Sequence, residues 1–137
     1  MKTLHTAYRV GDLTRALDFY DKLGYLNLGV VDIGGGTTLS MLKFAEEPVV
    51  SLELVYRPDD GAVDIGTGFH HLVVQVDELA ATLDVLTRAG LEPGPIETPG
   101  GEDGPKTAWL TDPDGYRIEL VEWPASSPDG LTAEAFG

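Results

Sequence analysis

Residues 68–90 read GFHHLVVQVDELAATLDVLTRAG, and residues 2–24 read KTLHTAYRVGDLTRALDFYDKLG. Laid over each other at an offset of 66 residues, they place His5 on His71, Val10 on Val76, Leu13 on Leu79 and Leu17 on Leu83. Asp18 falls on Asp84 and the closing Gly24 on Gly90. The offset continues without a gap, putting Gly34 and Gly35 on Gly100 and Gly101, and Glu53, Leu54 and Val55 on Glu119, Leu120 and Val121. Chance matches of common residues would not align a histidine, a glutamate and both helix ends together. The chain is an internal duplication, and its fold is read from one copy.

In the first copy, LHTAYRV predicts a strand, with β-branched and aromatic residues near its centre. GDLTRALDFYDKLG predicts a helix, with Asp12 as N-cap, Leu13, Ala16, Leu17 and Tyr20 at helical spacing, and Gly24 as the stop. TTLSMLKF and VVSLELVYR predict strands separated by AEEP. Residues 58–68, PDDGAVDIGTG, form a polar, turn-rich connector. The second copy repeats the pattern: FHHLVVQV a strand, DELAATLDVLTRAG a helix ending at Gly90, and KTAWLTD and YRIELVEW strands around the turn PDG. Each copy is a β-α-β-β-β unit whose helix covers one face of a small sheet. The expected architecture is α+β, with modules at 1–57 and 69–123, a linker at 58–68 and a loose or partner-draped tail at 124–137. The whole is expected as one structural domain whose sheet is concave and partly closed.

Composition narrows the function. Lysine and arginine number 9 against 23 aspartates and glutamates, for a net charge of −14. Such a surface repels nucleic acid and anionic membranes, which are bound through clustered Lys and Arg. There is no cysteine, which removes disulfides, thiolate zinc sites and a cysteine nucleophile. No apolar run approaches the roughly 18 residues of a membrane span, and the N-terminal stretch lacks a signal-peptide core. The expected compartment is the cytoplasm.

The duplication also selects the residues that carry chemistry. His71, not His70, is the counterpart of His5; His70 falls on Leu4. Glu53 follows His5 by the same interval as Glu119 follows His71. Both glutamates sit in apolar strands, SLELVY and RIELVEW. Side chains alternate along a strand, so each Glu faces away from its Leu and Ile neighbours and onto the sheet's open side. By the same alternation, His70 and His71 are expected on opposite faces. A lone strand histidine or glutamate is more often structural, but four locked to one repeat form a set. Two imidazoles and two carboxylates suit a divalent transition metal and leave octahedral positions open, the mark of a catalytic centre. His70 is read as a packing or rim residue. The glycines of DIGGGTT and PGGEDGPK lack the ending and context of a phosphate loop and are read as flexible loops.

The segments HTAYRVGDLTRALDFYDKLGY, LELVYR, GTGFHHLVVQVD and DPDGYRIELVEW resemble bacterial glyoxalase I (lactoylglutathione lyase) of the vicinal oxygen chelate superfamily, over about residues 1–123. The resemblance implies the glyoxalase/bleomycin-resistance-like fold of paired βαβββ modules. It implies a homodimer with metal sites at the subunit interface, and His5, Glu53, His71 and Glu119 as ligands. Short forms of the family favour Ni2+ or Co2+ and longer ones Zn2+, so nickel is expected first. The implied reaction isomerises the hemithioacetal of methylglyoxal and a thiol to the S-lactoyl thioester, with Glu119 as the main base and Glu53 its counterpart. Arg9 matches a family arginine that holds the glutamyl end of glutathione. Arg57 stands where the family often has Asn, and ETPGGEDGP is acidic where a lysine usually meets the glycine carboxylate, with Lys106 nearby but out of register. The first helix is one residue shorter than usual. These departures bear on the thiol, which could be glutathione, mycothiol, bacillithiol or no thiol at all, and not on the metal. The alternatives are an epimerase, dioxygenase or thiol transferase of the superfamily, against which Glu53 argues, or a non-enzymatic small-molecule binding dimer, against which the complete quartet argues.

Overall fold

A computed structural model describes residues 1–137. The chain divides into two compact units, Met1–Gly68 with Asp112–Gly115, and Phe69–Thr111 with Tyr116–Gly137. The first contains β1 (Thr6–Val10), α1 (Leu13–Leu23), β2 (Leu26–Gly34), β3 (Thr37–Lys43) and β4 (Leu52–Tyr56). The second contains β5 (Leu72–Gln75), α2 (Leu79–Arg88), β6 (Lys106–Thr111) and β7 (Arg117–Glu122). The architecture is the expected α+β, built on two open mixed sheets of four and three strands. No helix is long and apolar enough to cross a membrane.

In the first unit the strand order is β1-β4-β3-β2. β1 runs parallel to β4, and the other pairs are antiparallel. Alternation sends Tyr8, Val10, Leu42, Leu52 and Leu54 to one face, where all are buried. α1 supplies Ala16, Phe19, Tyr20 and Leu23 to the same core. Burying each large side chain contributes about 1.5–3 kcal/mol. The helix ends are set locally. Asp12 accepts a hydrogen bond from the Arg15 amide at 3.0 Å. Gly24 takes a left-handed conformation, φ +116°, that leaves its N–H on the carbonyls of Tyr20 and Asp21, a closure that favours glycine.

The sequence names no strand at LNLGVVDIG, yet those residues form β2. Its apolar residues alternate through Leu26, Leu28 and Val30 and then change phase at Val31 and Ile33, so they mark no single face. The register with β3 is irregular between Asn27 and Gly29 and between Asp32 and Gly34. The turn between β6 and β7 holds a second surprise, because Asp112–Gly115 belongs to the first unit. Asp112 is buried and accepts from the Tyr20 hydroxyl at 2.8 Å, while Asp114 accepts from the Gly11 amide at 3.1 Å. The Tyr8 and Tyr20 hydroxyls hydrogen-bond to each other. Burial, with Tyr8 and Asp112 alongside, raises the Tyr20 phenol pKa far above its ordinary value.

In the second unit the order is β5-β7-β6, with β5 parallel to β7 and β6 antiparallel to it. Val74, Ala108, Leu110, Ile118 and Leu120 are buried, as are Leu79 and Leu86 of α2. Glu78 makes no side-chain cap for α2. Instead the Glu122 carboxylate on β7 accepts from the Leu79 amide at 2.7 Å. The strand that would match β2 is reduced to one bridge, Glu97 opposite Thr107. The tail is tethered rather than loose: the Gln75 side-chain amide donates to the Pro128 carbonyl at 2.9 Å, and Gly130 is packed against the Trp123 indole.

Candidate metal centre

The duplication reappears in the backbone register. Ala7 lies opposite Glu53 across β1 and β4, and Val73 lies opposite Glu119 across β5 and β7. In each unit the histidine stands two residues before that partner, at His5 and His71. Each unit therefore offers one carboxylate from its last strand and one imidazole from the residue just before the parallel first strand. The neighbours of the glutamates, Leu52 and Leu54 in one unit and Ile118 and Leu120 in the other, are all fully buried. That anchoring fixes which way each carboxylate points.

In the first unit His5 Nε2 and Glu53 Oε2 are 2.8 Å apart, with side-chain exposures of 27% and 15%. Cis ligands at about 2.1 Å from one metal ion lie about 3 Å from each other, so this nitrogen and oxygen already stand at a chelating separation. The second pair is held differently. The His71 ring packs edge-on against Trp109, centroids 5.0 Å apart, and the Arg117 guanidinium lies 4.7 Å from the centre of the indole. Trp109 is the cross-strand neighbour of Glu119. No hydrogen bond ties Glu119 to His71.

One expectation is corrected here. β5 begins only at Leu72, so His70 and His71 precede the strand and alternation does not separate them. Their rings touch instead, Nδ1 to Nδ1 at 2.6 Å and centroids 4.8 Å apart.

Of the four candidates the structure brings His5 and Glu53 into contact, while His71 and Glu119 are related only through the register of β5 and β7. No three His, Asp or Glu side chains of the chain gather closely enough to hold a metal ion. Two donors fall short of the four to six that zinc or nickel requires, while the mixed nitrogen and oxygen chemistry suits either.

The two arginines continue along the Glu53 face. Arg9, two residues beyond Ala7, donates to the carbonyls of Gly61 at 3.0 Å and Ala62 at 2.8 Å. Arg57, four residues beyond Glu53, donates through Nε to Thr37 Oγ1 at 2.7 Å. At about 3.3 Å per strand residue, Arg57 lies about 13 Å from Glu53 along the strand. The clamp of the connector on Arg9 and the hold of Thr37 on Arg57 had no signal in the sequence, since both join residues distant in the chain.

Comparison with known proteins gives these features a context. Residues 2–120 match the model of the Glyoxalase/Bleomycin resistance protein/Dioxygenase superfamily. A lactoylglutathione lyase from Haemophilus influenzae is 35% identical over 129 residues, spanning 89% of this chain and 93% of that protein. A chloroplastic protein of Arabidopsis thaliana, named a probable lactoylglutathione lyase, is 37% identical over 130 residues, which are 88% of this chain but only 35% of that longer protein. A crystal structure of a glyoxalase I mutant from Zea mays superposes with a TM-score of 0.79 at 29% identity, covering 90% of this chain and 46% of the maize chain.

Proposed function

Because the chain belongs to the Glyoxalase/Bleomycin resistance protein/Dioxygenase superfamily and is an enzyme of the glyoxalase I type, we propose that it isomerises the hemithioacetal of methylglyoxal and a low-molecular-weight thiol, glutathione first, to the S-lactoyl thioester. The observation that carries the reading is the paired register: in both units a glutamate lies opposite the residue two places after the repeated histidine. His5, Glu53, His71 and Glu119 would together hold one divalent ion, with Ni2+ or Co2+ ahead of Zn2+. When bound, the ion supplies positive charge that stabilises the oxyanion developing in the reaction.

The chain's own residues do the rest. The hemithioacetal has a hydrogen on the carbon joined to sulfur and hydroxyl, next to the ketone carbon. Glu119 removes that proton to give an enediolate and returns it to the neighbouring carbon. The first carbon is thereby oxidised to a thioester as the second is reduced to an alcohol, so no outside redox partner is needed. Glu53 serves the opposite hand of the substrate. Arg57, with only its Nε engaged, offers the rest of its fork to a carboxylate of the thiol, and Arg9 frames the same end.

Because each unit brings only two donors, we place the complete centre at the interface of a homodimer, with ligands from both copies. β2 supports this. It is an edge strand, and it exposes Leu26, Leu28, Val30, Val31 and Ile33, each 46–58% accessible. Such an apolar edge invites a partner. The proposed compartment is the cytoplasm.

The test is to remove metal with a chelator, restore Ni2+, Co2+ or Zn2+ singly, and follow thioester formation from methylglyoxal and glutathione. Activity restored by one ion supports the reading. Absence of any metal binding overturns it. Binding without turnover retains the centre and moves the search to other thiols and to CoA esters.

A further inference from the structure

We propose that His70 is a positioning residue for the metal centre: it accepts a hydrogen bond from the Nδ1–H of His71 and so presents His71 Nε2, unprotonated, to the ion. The inference rests on the proposed role of His71 as a ligand, and it goes beyond that role, because the duplication gives His70 no polar counterpart; Leu4 stands in its place in the first copy.

The geometry leaves two arrangements. With Nδ1 of each ring 2.6 Å from the other, one nitrogen must carry the proton and the other must accept it. If His70 donates, the lone pair on His71 Nδ1 is used, and the neutral ring carries its proton on Nε2. Neither nitrogen can then bind a metal. If His71 donates, its Nε2 keeps a free lone pair, and His70 keeps its own proton on Nε2, toward solvent. Metal binding therefore selects the second arrangement, and the ring contact makes Nε2 the ligating atom of His71. His5 instead turns its Nε2 to the Glu53 carboxylate, which accepts from it, so the two copies hold their histidines by different means.

The second ring support comes from Trp109, packed edge-on to His71 and itself covered by Arg117. Between the indole and His70, the imidazole is fixed in tilt, and of the two arrangements of the shared proton only the one with His71 as donor leaves Nε2 ready for an ion. Outer partners of this kind typically contribute 10–100-fold to metal affinity. His70 is exposed, so water competes for the contact and the lower end of that range is expected.

The experiment uses the full-length protein and Ni2+ as the probe. Three variants are compared with the wild type: His70→Leu, which copies Leu4; His70→Asn, whose amide oxygen can accept the same bond; and His71→Ala. The His71 tautomer is read in the metal-free protein by long-range 1H–15N NMR, and Ni2+ affinity by competition with a chromophoric chelator, with circular dichroism verifying the fold. The expected result for His70→Leu is a loss of the Nδ1–H form of His71 and about a tenfold weaker affinity at unchanged stoichiometry. His70→Asn should recover most of both. An unchanged tautomer and affinity in His70→Leu would overturn the proposal. So would loss of all binding in His70→Leu with retention in His71→Ala, which would make His70 the ligand. Full stoichiometry in His71→Ala with a normal effect of His70→Leu on the tautomer would instead remove the ligand reading beneath it.

Discussion

Glu119 illustrates how a single residue takes its role from its neighbours. Ile118 and Leu120 are fully buried, so the strand cannot turn over without exposing both, and the carboxylate must stay on the open face. A Glu119→Gln variant keeps that packing but loses the base. Its kcat should fall about 10³-fold, within the range of general-base catalysis, with its melting temperature nearly unchanged; near-normal turnover would reassign the base. Tyr20 makes the complementary case in the core. Its hydroxyl joins Tyr8 to Asp112, so Tyr20→Phe leaves both without that partner and should cost about 1–3 kcal/mol in denaturant unfolding. The phenol also sets a pH dependence. Its folded pKa lies above the ordinary 10.0, chiefly through burial. The folded state therefore holds the proton more tightly, its contribution is complete below pH 10 and is lost as pH rises above that. The alkaline fall in stability should be shallower in Tyr20→Phe than in the wild type.

Among the elements, α1 was the most legible. Its cap, its apolar stripe and its closing glycine are all local signals, and each stands where the sequence puts it. Asp12→Ala should cost about 1 kcal/mol by removing the bond to the Arg15 amide, measurable as a shift in urea midpoint. Gly24→Ala should cost about 1–3 kcal/mol, because φ of +116° strains any residue with a Cβ. The strands were less legible. β2 changes the phase of its alternation between Val30 and Val31, and all five of its large apolar residues are exposed in the single copy. The second unit dispenses with that strand save for the Glu97–Thr107 bridge. α2 has no cap of its own and borrows Glu122 from β7, a contact between residues 43 positions apart that no local pattern announces.

At the scale of the whole molecule, the acidic surface and the apolar edge of β2 make opposite demands. A net charge of −14 opposes association, yet β2 presents five large apolar side chains on an unpaired edge. Association of two copies over that edge would bury them. Leu28→Glu should therefore shift the protein to a monomer in sedimentation velocity, with circular dichroism unchanged. Metal stoichiometry should fall with it, since a single copy gathers no three donors. A variant that still sediments as a dimer would move the interface elsewhere.

By itself, the sequence determined the duplication, the α+β class and both helices, and it nominated four candidate ligands. Each of these rests on periodicity or on an offset, and both are properties of order along the chain. The register of parallel strands then turned the offset into geometry, with Ala7 against Glu53 and Val73 against Glu119. The tertiary structure alone decided the rest: the contact of His70 with His71, the seating of Asp112 beneath Tyr20, the hold of the connector on Arg9, and the tethering of the tail to Gln75. These depend on where a strand starts and on which distant groups meet once the chain is folded. A strand that begins three residues later than expected frees two histidines from its alternation, and a buried hydroxyl takes whatever partner the folded chain brings to it.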